Sequence, residues 1–496
     1  MITIVLASTL ASVGTAGVPV AGIYRNADIY LNQNYVGKYV SGYTHFFYDI
    51  TDFLRENEEN TIAIRVDAMG REGWWYEGGG IYKHVWLHIC DDILIELYDL
   101  HIEAEVSDDL TCGNLSVTAE VVSRRIEATS AELLSIVFDR EGREAARLRK
   151  EFTLSPWDKV KVQMATTLSG ADFHLWELDD TNLYKVKTYI LYDNHTEKEL
   201  LFSNQSDSFG DDYAEYFGFR KIEFTPDKGF WLNGKRTLIK GLCTHHDHAG
   251  VGIGVPDSVL EYRLREMKKC GMNALRSVHG EPSDIVLCLC DRLGILVLSE
   301  TRQMGSSRDD IEAMRAVVKQ GRNHPSVILW GIGNEEVNVQ MKKETAKTVI
   351  SMRQEIRLLD NTRPVTYALG SYADIGIWDQ ETAYRDLKYP LCLKAFHSKK
   401  YNYIVQEVYA RAIMFNYCSE IATHAEIPDK ERKLQYQVNF AQAIKICRDH
   451  LRNRDERCLI NASGLIVNNI EPIRPDRTYR RQARFKLPIC YDCLLK

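Results

Sequence analysis

The run "VILWGIGNEEV" (Val327 to Val337) is apolar until it ends in two adjacent acids, Glu335 and Glu336. Two other apolar runs also finish on an acid: "ILVLSE" at Glu300 and "AIMFNYCSE" at Glu420. Two carboxyl groups on either side of a glycosidic bond can break it. One, protonated, gives its proton to the leaving oxygen, while the other, ionised, attacks the anomeric carbon. In retaining chemistry they lie about 5–5.5 Å apart. Glu335 and Glu420 are the candidate pair. Glu336 points away if the strand continues. If the chain turns there, Glu336 falls in the first turn of the next helix, where an acid suits the dipole.

Such acids need a frame that brings strand ends together. From about residue 219 strands alternate with amphipathic helices. The expected strands are "TLIKGLC", "NALRSV", "ILVLSE", "SVILWGIGN", "RPVTYALG", the stretch up to "YNY", "AIMFNYCSE" and "GLIVNNI". Eight strands in a segment of this length fit a (β/α)8 TIM barrel, whose catalytic groups sit at the C-terminal strand ends. Glu300, Glu335 and Glu420 would then end the third, fourth and seventh strands. Trp330 lies within the fourth and reads as packing.

The preceding residues are β-rich. "ADIYLNQNYVGKYV" reads as two strands about a turn at Asn32-Gln33-Asn34. Residues 97–218, with "NLSVTAEVVS", "ELLSIVFDR" and "YKVKTYILYD", fit an immunoglobulin-like β-sandwich. The expected fold class is multidomain, β plus α/β. It places a jelly-roll β-sandwich in 1–96, incomplete for want of strands before residue 22. The immunoglobulin-like sandwich follows in 97–218, the TIM barrel in 219–475 and a divergent tail in 476–496.

At 496 residues, 45% hydrophobic and 26% charged, the composition is that of a globular multidomain chain. A net charge of −7 argues against nucleic acid or an anionic membrane as partner. The 12 cysteines are scattered and read mostly as reduced core thiols. No charged residue precedes Arg25, and the apolar start leaves a signal peptide, a buried strand and a miscalled gene start all open. Secreted, periplasmic and cytoplasmic locations therefore all stay open.

In their order along the chain, these motifs resemble glycoside hydrolase family 2, the β-galactosidase, β-glucuronidase and β-mannosidase group. "SGYTHFFYDITDFL" and "GGGIYKHVWL" resemble its N-terminal sugar-binding jelly roll. "FGFRKIEFTPDKGFWLNGKRTLIKGLCTHHDHAG" resembles its approach to the barrel. "GMNALRSVHGEPS" and "LCDRLGILVLSE" resemble the second and third strand ends, and "RNHPSVILWGIGNEE" the acid/base signature. The resemblance implies Glu335 as general acid/base and Glu420 as nucleophile. It implies Asn334 as a contact to the sugar 2-hydroxyl, and His246, Asp247, Arg276, His279 and Glu300 around the substrate. Arg276 can also pair with Glu300. Asn402 and Tyr403 resemble the Asn/Tyr strand that precedes the nucleophile.

Several positions depart from the family. Gly280 and Glu281 replace the Asn-Pro of its "SHNP". Met304 and Ser306 stand where magnesium-dependent galactosidases carry Glu and His, so no catalytic metal is expected. Asn468 replaces a strand-eight Trp that would stack under the sugar. No Asn-x-Lys uronate motif is present in "EPIRPDRTYRRQARF", which favours a galactoside over a glucuronide. The expectation is a retaining exo-β-glycosidase that needs no cofactor and acts on an oligosaccharide or glycoside. A homo-oligomer, a non-catalytic or vestigial sugar-binding relative, and a β-glucuronidase or β-mannosidase specificity all stay open.

Overall fold

The computed structural model describes residues 2–9, 15–21, 23–69, 79–193, 212–225, 228–336, 345–368, 401–423, 425, 427, 436–452 and 462–472. The chain divides into two compact units. One comprises 1–237, 242–265 and 273–374, and the other 238–241, 266–272 and 375–496.

The first unit begins with β structure. Ala27–Leu31 and Asn34–Tyr39 form an antiparallel hairpin in which Leu31 faces Asn34. Its two-residue loop, Asn32-Gln33, takes positive φ at both positions (50° and 71°), the twist a tight hairpin requires. The segment before residue 22, expected to lack jelly-roll strands, holds two: Ile2–Thr9 and Thr15–Ala21. Ile2–Thr9 pairs antiparallel with Glu59–Val66, and Thr15–Ala21 pairs with His45–Asp49 and His88–Cys90.

The next segment is a seven-stranded sandwich. One sheet orders Ile93–Val106, Cys112–Ser123 and Lys159–Ser169. The other orders Glu144–Leu154, Thr129–Phe138, Tyr184–Leu191 and Asp212–Phe217. Alternate residues of both sheets point inward, so Val117, Ala119, Val121, Leu133 and Val137 share one core with Phe217 and Phe219.

The sandwich is clipped to the α/β part by polar side chains of the "RNH" that opens the fourth-strand motif. Arg322 Nη2 donates to the Tyr98 carbonyl (2.7 Å). Asn323 donates to the Leu100 carbonyl (2.8 Å) and accepts from the Ile102 N–H (2.9 Å). Ile93–Val106 is an edge strand, and its register shifts between Ile95 and Leu100, where Tyr98 lies. Backbone groups on that open edge, which no neighbouring strand pairs, are satisfied by these side chains instead.

The α/β part orders Gly241–Thr244, Ala274–Ser277, Leu296–Glu300, Val327–Asn334 and Val365–Ala368 in one five-stranded sheet. The pairs from Ala274–Ser277 onward are parallel, so these strands end on one edge. Helices Asp257–Lys269, Asp284–Leu293, Arg308–Gly321 and Thr345–Leu359 alternate with them. Ser307 starts the third of these with a capping box closed by Asp310. Every residue of Val327–Asn334 is buried, as in a strand covered on both faces.

Trp330 is packing, with 1% of its surface exposed. Its Nε1 donates to Asp360 (2.8 Å), and the Arg363 guanidinium lies over its ring. Arg363 also donates to Asp360 (2.7 Å) and to the carbonyls of Arg322, His324 and Val327. Burial alone would raise the Asp360 carboxyl. Arg363 and the hydrogen bonds from Thr362 outweigh it and hold the carboxyl below its usual range.

In the second unit the last three expected strands take other forms. "YNY" and "AIMFNYCSE", read as strands six and seven, lie in one helix, Tyr401–Thr423. These 23 residues contain neither Gly nor Pro to end a strand, and Gln406, Glu407, Ala410 and Arg411 are good helix formers. "GLIVNNI" splits into the helix Ala462–Val467 and the strand Ile470–Pro472, which pairs antiparallel with Tyr436–Val438. Cys418, Ala443, Ile444, Cys447 and Ile466 form this unit's core. Among the described residues no helix is long and apolar enough to cross a membrane.

Removing the Asp360 carboxylate leaves the buried Arg363 guanidinium with neutral hydrogen-bond partners, three carbonyls and the Thr362 hydroxyl. Asp360→Ala is expected to cost about 3–5 kcal/mol, read by chemical denaturation.

Candidate active site

Three adjoining parallel strands deliver the site. Arg276 lies next to the end of Ala274–Ser277, Glu300 ends Leu296–Glu300, and Asn334 ends Val327–Asn334. Glu300 is 1% exposed, so its carboxylate needs internal partners. Arg276 Nε donates to Glu300 Oε2 (2.6 Å), and His279 Nδ1 lies 3.0 Å from Glu300 Oε1. Arg276 Nη2 reaches on to Asn334 Oδ1 (2.7 Å). This turns the amide oxygen of Asn334 to the arginine and makes its NH2 group the donating end. Gly331 sits across from Glu300 on the next strand. A Cβ there would meet Leu298 and Glu300 at 3.0–3.2 Å, so glycine leaves room for the acid.

Glu335 follows directly and is exposed. Its φ of 50° is left-handed, and its N–H donates to the Ala368 carbonyl on the neighbouring strand (2.9 Å). The acid thus stands at the strand end with its backbone tied down.

Glu336, expected to begin a helix, is itself not helical, and the residues that would continue it, 337–344, lie outside the described residues. Its carboxylate is used. Oε1 accepts from the Met304 N–H (3.1 Å) and Oε2 from the Tyr367 hydroxyl (2.9 Å).

His246 and Asp247 follow the first strand. Asp247 is exposed, and its carbonyl accepts from Arg263 (3.0 Å). His246 is turned inward: its Nε2 is buried with no hydrogen-bond partner among the described residues, and its ring bonds the Gly280 backbone. Burial, helped by the nearby Lys83 charge, pushes His246 down to about 3, so the ring is neutral. Burial followed by His279 likewise lowers His245, whose ring meets that of His279 edge-on at 5.5 Å.

Sequence reasoning missed the role of Glu281. It is 1% exposed and accepts from the His45 N–H (2.7 Å), and its other oxygen lies 2.7 Å from His45 Nδ1. Lys83 Nζ donates to its carbonyl (3.2 Å). The N-terminal sandwich is thereby fastened beside the second strand end. Tyr43 packs against Gly280, with the Arg302 guanidinium 4.8 Å over its ring. The available signal was an acid where the family carries proline.

Arg276, His279, Glu300, Asn334 and Glu335 therefore come together. Glu420, Asn402 and Tyr403 are corrected from strand to helix and belong to the second unit. Glu420 is half-exposed and pairs with Lys240 (3.0 Å). Asn468, the residue in place of the family's tryptophan, is exposed just after Ala462–Val467. Trp74 and Trp75, which precede "GGGIYKHVWL" and could serve as jelly-roll core or as a sugar-facing edge, lie outside the described residues. Among those residues one acidic trio could share an ion, Glu96, Asp99 and Glu120, and Asp99 there already pairs with Lys319.

Comparison with known proteins identifies the family. Residues 95–220 match the model for glycosyl hydrolases family 2, and residues 224–310 and 305–443 match the TIM barrel domain of that family. The chain belongs to glycoside hydrolase family 2. It is 29% identical over 327 residues to the β-galactosidase BoGH2A of Bacteroides ovatus, covering 63% of this chain and 36% of that protein. It is 27% identical to a β-glucuronidase of Bacteroides fragilis, covering 70% of this chain and 51% of that one. A crystal structure of a family 2 member from Bacteroides cellulosilyticus superposes with a TM-score of 0.68 at 32% identity, over 75% of this chain and half of that one. The chain spans about a third to a half of the length of these two curated relatives.

Two outcomes test the geometry. A lysine ammonium cannot bridge Glu300 and Asn334 as the Arg276 fork does, so Arg276→Lys should lower kcat/KM on an aryl glycoside about 10–100-fold. The ordinary histidine value is 6.5, well above the folded value of His246. The unfolded chain therefore takes up a proton that the folded chain refuses, and stability should fall as pH drops from 6.5 toward 3. Denaturation at stepped pH should show His246→Gln losing less stability across that window, by about one proton in slope.

Proposed function

We propose that the chain carries the active site of a retaining exo-β-glycosidase that removes terminal β-linked sugars, with a β-galactoside as the preferred substrate. The observation that supports this reading most is the Arg276–Glu300–His279–Asn334 group beside the exposed Glu335, at the ends of adjoining parallel strands. Asn334 would donate to the sugar 2-hydroxyl. Glu335 would give its proton to the leaving oxygen as the glycosidic bond breaks.

On the resemblance of its Ser-Glu stretch, Glu420 is the proposed nucleophile. Its carboxylate would form an ester at the anomeric carbon as the aglycone leaves. Water would then attack that carbon and pass a proton to Glu335, and the ester bond would break to restore Glu420. His279 and Asp247 would complete the sugar contacts. The galactoside preference rests on the missing uronate motif, and relatives of both names leave the glucuronide as the second substrate to test.

The test is covalent. A 2-fluoro-galactoside bearing a good leaving group should trap the ester, and peptide mapping should find the label on Glu420. A label elsewhere reassigns the nucleophile. Binding without turnover or label favours a non-catalytic relative. Glu335→Ala should slow substrates with poor leaving groups about 10²–10⁴-fold, leave activated ones far less affected, and recover with azide as a retained azido-sugar. A panel of aryl β-galactoside, β-glucuronide and β-mannoside ranks the specificities.

A further inference from the structure

The acid at a strand end is useful only if it holds one direction. Glu335 is exposed and sits in a left-handed backbone conformation that side-chain-bearing residues adopt reluctantly. Something beyond its own side chain must hold it there. One tie is the hydrogen bond from its N–H to Ala368. The other is its neighbour. The Glu336 carboxylate spans two elements, accepting from the Met304 N–H in the segment after the third strand and from the Tyr367 hydroxyl on the fifth. It also fills the space over Gly333, where φ is 151° and a Cβ would lie 2.9 Å from both carboxylate oxygens. Glycine at 333 thus gives the Glu336 carboxylate its place, and the carboxylate pins the turn on its C-terminal side.

We propose that Glu336 is a positioning residue: it braces the left-handed turn at Glu335 between Met304 and Tyr367, and so aims the acid at the leaving oxygen. This rests on the reading of Glu335 as the general acid. The chemistry favours a carboxylate over an amide. Both partners donate, one from a fixed N–H and one from a hydroxyl, and a carboxylate accepts at both oxygens. Glutamine keeps one acceptor and presents a donor at the other end, so it should restore part of the function. Alanine should restore none.

The experiment compares leaving groups. A merely structural brace would slow every substrate alike, whereas a brace for the acid matters most where protonation of the leaving group limits the rate. Wild type, Glu336→Ala, Glu336→Gln and Tyr367→Phe are assayed on phenyl and 2,4-dinitrophenyl β-galactoside. The expected result is a loss of about tenfold or more in kcat/KM on the phenyl substrate for Glu336→Ala, with little loss on the dinitrophenyl one. Glu336→Gln and Tyr367→Phe should fall between, and azide should not rescue any of the three. Equal losses on both substrates, or none, overturn the inference and leave the function standing. Azide rescue of Glu336→Ala but not of Glu335→Ala makes Glu336 the acid and overturns both assignments. A wild type inactive on every aryl glycoside overturns the functional reading itself. Glu336→Gln and Tyr367→Phe keep the test usable if the alanine variant does not fold.

Discussion

The buried carboxylate of Glu300 organises the site. A charge with 1% of its surface exposed is costly unless it is paired and hydrogen-bonded. Arg276 and His279 supply that pairing from the second strand end, and once committed to Glu300 they are held in place. The remaining reach of the Arg276 fork fixes the Asn334 amide on the fourth strand. One electrostatic requirement therefore links three strands and orients the residue immediately before Glu335. The acid needs no buried partner of its own because its neighbours are already locked.

The same logic extends outward through buried acids with assigned donors. Asp360 and Arg363 fasten Trp330 in the middle of the fourth strand. Asp291 accepts from the Ser326 N–H and pairs with His324, just ahead of that strand. Glu281 draws the N-terminal sandwich onto the second strand end through His45. Each pair costs desolvation when it is buried, and breaking it by removing one partner leaves an uncompensated charge, so the elements it joins are held together.

Much of the first unit was legible. The first five strands of the sheet are short apolar runs, set off from their helices by turn residues such as Gly271, Gly294 and Pro325. Their order alone puts Glu300 and Asn334 on one edge. Arg276 as the partner of Glu300 and Trp330 as packing were readable from residue type and strand position. The second unit was not readable in this way. An apolar stretch such as "AIMFNYCSE" suits a buried strand and a buried helix equally, and neither glycine nor proline marks the break that a strand reading needs. The count of eight strands alternating with helices carried the strand assignment, and local sequence could not correct it.

Glu336 and Glu281 were illegible for a different reason. Periodicity assigns a side chain to a face, but it does not tell which donors from distant segments will meet it. Glu336 meets an N–H from residue 304 and a hydroxyl from residue 367, and Glu281 meets an N–H from residue 45. An acid beside a signature acid looks redundant in one dimension. In three it occupies the space over Gly333 and joins the segments on both sides of the strand. Its redundancy in sequence and its use in structure follow from one geometric fact. After the left-handed residue the chain no longer runs as a strand, so successive side chains can both serve the same site.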